Sequence, residues 1–158
     1  MPDQGLIDSI RESGFPFEFL KNKRRILSSA QGAAYWKIRI GQTAPALILR
    51  KEDSFILLVV SGAVAKVDLK TLAADIGAGS LRMATPQEID RQFGMKPGDV
   101  PLLGLNLPAL IDRRLMSFDF IYGGSGDPGY TLKIHPRALL ALNRDARLTD
   151  VPCLSERT

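Results

Sequence analysis

The sequence predicts an α/β domain in the broad sense, a curved, mixed, mostly antiparallel sheet with helices packed around it. Three observations carry this. Residues 46–50 (ALILR) and 55–60 (FILLVV) are apolar runs separated by four polar residues, as in a hairpin buried on both faces. Residues 68–77 and 85–94 each open on a good N-cap and close on glycine, as helices do. Strand-like and helix-like segments alternate with no repeat and no linker, so the 158 residues form one domain, placed at 1–143, followed by a polar tail at 144–158.

In chain order, Leu6, Ile7 and Ile10 recur at helical spacing and Gly14 is placed to stop that helix. Residues 15–20 (FPFEFL) alternate as a short strand, which Pro16 assigns to an edge. Ser28 or Ser29 caps a short helix through Ala33 and Trp36, and residues 37–40 alternate weakly as a strand. After the hairpin, Ser61-Gly62 turns the chain into a third strand at 63–67, antiparallel because so short a connection leaves no room for a crossover. Asp68 caps a helix whose stripe is Leu69, Leu72, Ala73 and Ile76, and Gly77 stops it. A short strand at 81–83 leads to Thr85-Pro86-Gln87-Glu88, a capping box with proline at the first helical position. Ile89 and Phe93 face inward, and Gly94 ends the helix. A glycine- and proline-rich loop covers 94–105 (GMKPGDVPLLGL). Strands are expected at 109–112 and 117–122, a long turn at 123–129, a strand at 130–134, a last helix opened by Pro136, and then a loose tail.

Composition excludes several classes. The apolar fraction of 45% and charged fraction of 24% are those of an ordinary globular chain, and no window reaches the roughly 18 apolar residues of a membrane span. Asp3 and the lack of an apolar core in the first residues argue against a secretory signal. Cys153 is alone, which excludes an internal disulfide and points to a reducing, cytoplasmic compartment. With one histidine and one cysteine, a metal site would have to rest on carboxylates; neither a metal nor a cofactor is expected. The net charge of +4 is unevenly spread: between residues 21 and 51 there are eight basic side chains, Arg25 and Lys51 among them, and no acid. Such a run is either a solvated face or a surface that meets phosphates.

The motifs GFPFEFL, LILR at 47–50, VDLKTLAADIGAGSLRMATPQEI at 67–89, GMKPGDVPLLGL at 94–105 and LIDRRL at 110–115 resemble, in this order, the YbaK/ProX family. These are the free-standing relatives of the editing domain inserted in bacterial prolyl-tRNA synthetases, and the likeness runs from about residue 14 to 142. It implies a sheet curled into a partial barrel, and hydrolysis of the ester joining a wrong amino acid to its tRNA. Such an ester is already activated, so the protein mainly positions a water and stabilises an oxyanion, a task for backbone N–H groups of a glycine-rich loop. Gly94, Gly98 and Gly104 are the candidates for that chemistry. Gly94 is equally explained as a helix C-cap, and Pro97-Gly98 as a turn.

The chain also departs from the family's pattern. Where members carry a lysine at the start of the first buried strand, this chain has Pro45, which has neither an amine nor an N–H. Lys51 shares that strand's face but lies six residues on, roughly 20 Å at about 3.3 Å per residue. Pro101 comes one place early in the loop. Gly123 and Gly124 stand where alanine-clearing members have a histidine, and His135 reads as a cap or surface residue at the start of the last helix. Asp112 matches a common acid that would orient a pocket group, or is a turn aspartate beside Arg113 and Arg114. Pro45, Pro101, Asp112, Gly123, Gly124, Arg25 and Lys51 are therefore the substrate-binding candidates, with the aminoacylated 3′ end of a tRNA as the partner and no membrane. The expected function is a trans-acting deacylase. The alternatives are a domain that binds tRNA or a small aminoacyl or nucleotide ligand without turnover, and a structural partner domain.

Overall fold

The computed structural model describes residues 1–157. Its first helix, α1 (Gln4–Ser13), is capped by the Asp3 carboxylate and closed by Gly14 in the left-handed region, and it buries Ile7 and Ile10. Strand β1 (Phe17–Lys21) follows at a sheet edge, just after Pro16, which favours that place. Helix α2 (Ser29–Trp36) takes Ser28 as its N-cap. The weak strand expected at 37–40 is absent: Lys37 closes α2 at φ +56°, and residues Ile40–Gln42 form a 3-10 turn. Two alternating pairs of residues are too short a signal to outweigh the helix C-cap they follow.

Strands β2 (Thr43–Ala44) and β3 (Ala46–Lys51) are one extended run divided by Pro45. β2 pairs in parallel with β8 (Ile121–Gly124), whereas β3 pairs antiparallel with β4 (Ser54–Val59). Pro45 is thus the corner at which the chain leaves one sheet for the other. Its carbonyl accepts the Val60 N–H at 3.0 Å, and the position demands no donor, so proline fits. The four-stranded sheet has the order β1, β9 (Tyr130–Ile134), β8, β2. The five-stranded sheet has the order β10 (Arg147–Thr149), β7 (Ala109–Asp112), β4, β3, β6 (Leu81–Met83). Five of the eight strand pairings among the described residues are antiparallel. The fold is a mixed α/β domain whose sheets do not close into a barrel.

Between the sheets lies a core built from Ile48, Leu57, Val59, Ile111, Ile121, Leu132 and Ile134, all buried. Helix α3 (Leu69–Ile76) closes a second cluster on the far side of the hairpin through Leu72. Helix α4 (Pro86–Phe93) shows the complete capping box, Thr85 and Glu88 exchanging bonds, and α5 (Arg137–Leu142) covers the first core with Ala138 and Leu139.

Three expectations are corrected. β5 (Val64–Val67) does not join the hairpin; it pairs antiparallel with β11 (Cys153–Glu156). The chain is pulled out of the sheet at Ser61-Gly62, where the Ser61 N–H donates to Asp112 at 2.9 Å and the Gly62 N–H to the Thr43 carbonyl at 2.8 Å. Gly62 packs so tightly on Thr43 that no side chain fits; a Cβ there would also lie 2.5 Å from the Ile40 carbonyl oxygen. Secondly, the tail is not loose: β10 extends the large sheet, Val151 is buried, and the Arg157 guanidinium donates to the carbonyls of Gly62 and Val64. Its three- and four-residue edge strands are too short and too polar to announce themselves by periodicity. Thirdly, residues Arg113–Ser117 form a 3-10 turn, and Gly123 and Gly124 belong to β8, not to the turn that follows.

Candidate functional site

A pocket of about 300 Å³ opens on the outer face of the four-stranded sheet, beside the Pro45 corner. Its floor comes from β2 and β8: Thr43, Ala44, Tyr122, Gly123 and Gly124. One wall is the loop around Pro97-Gly98-Asp99-Val100, and the opposite wall is the segment from Asn22 to Ser29 with Gly32 and Trp36 of α2. Five candidates therefore converge on one cavity: Arg25, Pro45, Gly98, Gly123 and Gly124.

The two strand glycines have a steric reason. A Cβ on Gly124 would overlap the Val100 carbonyl oxygen and sit 3.4 Å from the Pro101 Cα. On Gly123 it would lie 2.7 Å from Leu102 and 2.8 Å from the Ala44 carbonyl oxygen. The loop thus lies directly on β8, fastened by the Leu102 N–H donating to the Gly124 carbonyl at 3.0 Å. Gly98 differs: its open side meets only the Arg25 Nη2 at 3.9 Å, so a ligand can reach its backbone.

Among the described residues, Arg25 is the only lysine or arginine lining the pocket. Its Nη2 reaches Asp99 Oδ1 at 3.1 Å across the mouth; the arginine side chain is 46% exposed and the aspartate 14%. The second carboxylate of the lining, Asp127, accepts the Gly129 N–H at 2.8 Å and faces the Met1 amino group at 3.0 Å. These two contacts, the backbone one first, hold its pKa below the usual aspartate value. The Thr43 and Thr131 hydroxyls are also spent, donating to the Ile40 carbonyl and to Asn22. Trp36 brings a buried indole Nε1–H with no acceptor among the described residues, and its ring stacks on Tyr122 at 6.3 Å. The pocket can therefore offer backbone, the Arg25 guanidinium, ring faces and lining hydroxyls such as that of Ser29. It has no free nucleophile of the histidine, cysteine or lysine kind among the described lining residues.

The remaining candidates lie elsewhere. Gly94 is the left-handed cap of α4 at φ +66°, with open space around it, and Gly104 sits exposed at φ +99° beside Leu6. Pro101 is buried beneath Gly124 and Gly126 and supports the wall without lining it. Lys51 is at the far end of β3, paired with Ser54. Asp112 is wholly buried and structural in its contacts: one oxygen accepts the Ser61 N–H, and the other accepts the Arg114 N–H and Nη1 at 3.0 and 3.1 Å. His135 stacks on Phe15, and its Nδ1 accepts the Arg137 N–H at the start of α5. Sequence reading missed Trp36, Tyr122 and Asp99. For Tyr122 a signal was present, since the strand expected at 117–122 sets Phe118, Phe120 and Tyr122 at alternate positions, although only Ile121 and Tyr122 of it lie in β8.

No group of three or more metal-ligating side chains occurs among the described residues, and no helix there is long and apolar enough to cross a membrane.

Residues 24–142 match the family model of the aminoacyl-tRNA editing domain. The proline–tRNA ligase of Shouchella clausii is 31% identical over 86 residues, 54% of this chain and 15% of the ligase. That of Thermotoga maritima is 29% identical over 93 residues, 58% of this chain and 16% of the ligase. The chain thus spans less than a fifth of the length of these curated relatives. Among solved structures, a candidate trans-editing enzyme for prolyl-tRNA synthetase superposes with a TM-score of 0.78 at 27% identity, covering 94% of this chain and 93% of that one. Hypothetical protein APE2540, at 21% identity, shares the fold with a TM-score of 0.80 over 94% of this chain and 99% of its own.

Proposed function

We infer that this chain, which belongs to the aminoacyl-tRNA editing domain family, acts in trans as a deacylase that hydrolyses the ester between a wrongly attached amino acid and its tRNA. The observation that carries the reading is the convergence of Gly98, Gly123, Gly124 and Arg25 on one backbone-lined cavity. Water adds to the ester carbonyl carbon, the carbonyl oxygen takes the negative charge, and collapse releases the amino acid and the ribose hydroxyl. The open Gly98 backbone and the Arg25 guanidinium are the groups that can meet that charge. Arg25 is half-exposed and held by Asp99 alone, so it can turn to an anion at the expense of that one ion pair. Lys21, Lys23 and Arg24 continue the basic surface beyond the mouth, where the phosphates of a tRNA would lie.

One observation favours a second reading, binding without turnover: Pro45 faces the pocket where the resemblance calls for a lysine, and no lysine lines the cavity among the described residues. Deacylation of a panel of mischarged tRNAs decides between the two. Release of at least one amino acid faster than in buffer supports the hydrolase. No release from any, with salt-sensitive tRNA binding retained, supports the binder and sinks the hydrolase.

A further inference from the structure

A second concavity shares Tyr122 with the pocket and runs on along the same outer face of the four-stranded sheet. Tyr122 is its near wall; Phe118, Phe120, Arg39 and Lys133 line it together with Gln42, Ser117 and Asp119. The register explains this arrangement. Tyr122 pairs with Lys133 across β8 and β9, and Phe118 and Phe120, from the bend that precedes β8, line the same groove. The Lys133 Nζ is held over the Phe120 ring at 4.7 Å and the Tyr122 ring at 5.9 Å. Gln42 fixes the groove's back, donating to the Phe120 carbonyl at 3.3 Å.

The charges here are uncommitted. Asp119 also lines the groove and Glu18 is the register neighbour of Lys133 on β1, yet neither forms an ion pair with Arg39 or Lys133 among the described residues. Two cations against one lining acid, set among ring faces and continuous with a pocket for the end of a polynucleotide, match the chemistry of a single-stranded nucleic-acid track.

The geometry points to this groove as the subsite for the unpaired nucleotide that precedes the terminal one, with Lys133 and Arg39 on its phosphodiester and Phe120 or Tyr122 against its base. This rests on the reading that the pocket takes the 3′ end of an RNA, and it adds the path by which the strand leaves. Tyr122 then separates two adjacent units of the strand, with Trp36 on the pocket side and Lys133 on the groove side.

The test compares adenosine, the trinucleotide CCA and inorganic phosphate as ligands, by calorimetry, on the parent chain, Lys133→Gln/Arg39→Gln, Lys133→Arg and, as a control away from both cavities, Lys66→Ala. The parent should bind CCA at least about tenfold tighter than adenosine. The double variant should lose that advantage while keeping its affinity for adenosine, and the slope of log affinity against log salt should shrink by about 0.7, the share of the one phosphate that the two cations neutralise. Lys133→Arg and Lys66→Ala should behave as the parent. Equal binding of CCA and adenosine by the parent overturns the inference, as does an undiminished advantage in the double variant. Inorganic phosphate binding as tightly as CCA also overturns it, leaving only a simple anion site. The outcome is separable from the hydrolase reading: a retained CCA advantage without deacylation sinks the hydrolase alone, and deacylation without a CCA advantage sinks the groove alone.

Discussion

Gly124→Ala tests the steric account of the pocket wall most directly. The added methyl would overlap the Val100 carbonyl oxygen, and the obstacle is backbone on both sides, so no rotamer relieves it. The loop at 97–102 must lift from β8, which breaks the bond from the Leu102 N–H to the Gly124 carbonyl. Losing that bond costs about 1 kcal/mol and the overpacking about 1–3 more, a total of about 2–4 kcal/mol. For a chain of this size each kcal/mol moves Tm by about 2–4 °C, so the midpoint should fall by roughly 4–16 °C. Gly98→Ala is the matched comparison, because its Cβ would meet only the Arg25 side chain at 3.9 Å and its backbone is not left-handed. It should stay within about 0.5 kcal/mol of the parent. Thermal unfolding by circular dichroism measures both, and exchange of the Leu102 amide with solvent should quicken in Gly124→Ala alone. If Gly124→Ala melts with the parent, or if Gly98→Ala is the more destabilised of the two, the loop does not rest on β8 as described.

Asp112→Ala removes a buried acceptor from the Ser61 N–H and from Arg114, and urea unfolding should find it about 3 kcal/mol less stable. Glu88 is held at about 2, against an ordinary 4.5, first by the Arg82 guanidinium at 2.7 Å and then by the Thr85 N–H. A depressed carboxylate pKa stabilises the fold above the unfolded value, so this contribution is present at neutral pH and is lost as pH falls from about 4.5 toward 2. The stability gap between the parent and Glu88→Gln should therefore close over that interval, and a gap independent of pH would contradict it. Trp36→Phe removes an indole N–H that has no acceptor among the described residues, which offsets lost packing, so stability should change by less than about 1 kcal/mol; a fall in deacylation at unchanged stability would assign the N–H to the substrate. Pro45→Lys places an amine in the pocket at a backbone position that needs no donor, and it should raise deacylation while costing up to about 1 kcal/mol through the freer unfolded chain. An unchanged rate would mean that the chemistry does not use that position.

The helices were legible in the sequence because each of their signals is local. Asp68, Thr85-Pro86-Gln87-Glu88, Gly14, Gly77 and Gly94 act within four residues of themselves, and all of them cap the helices they were expected to cap. The β3–β4 hairpin was legible for the same reason, two apolar runs joined by a tight turn. The family was legible too, since its motifs survive in order along most of the chain. Only the tertiary structure could decide relations between distant segments. It carried the tail back to pair with β5 and β7, and it made Asp112 a buried acceptor for Ser61, 51 residues away. It also sorted the loop's glycines, leaving Gly94 and Gly104 to the backbone and Gly98 to the cavity. A cap is fixed by neighbours along the chain, whereas a pocket is fixed by what folding sets across from it. The proline at 45 could be read as a missing amine from sequence alone; that it is the corner joining two sheets required the fold.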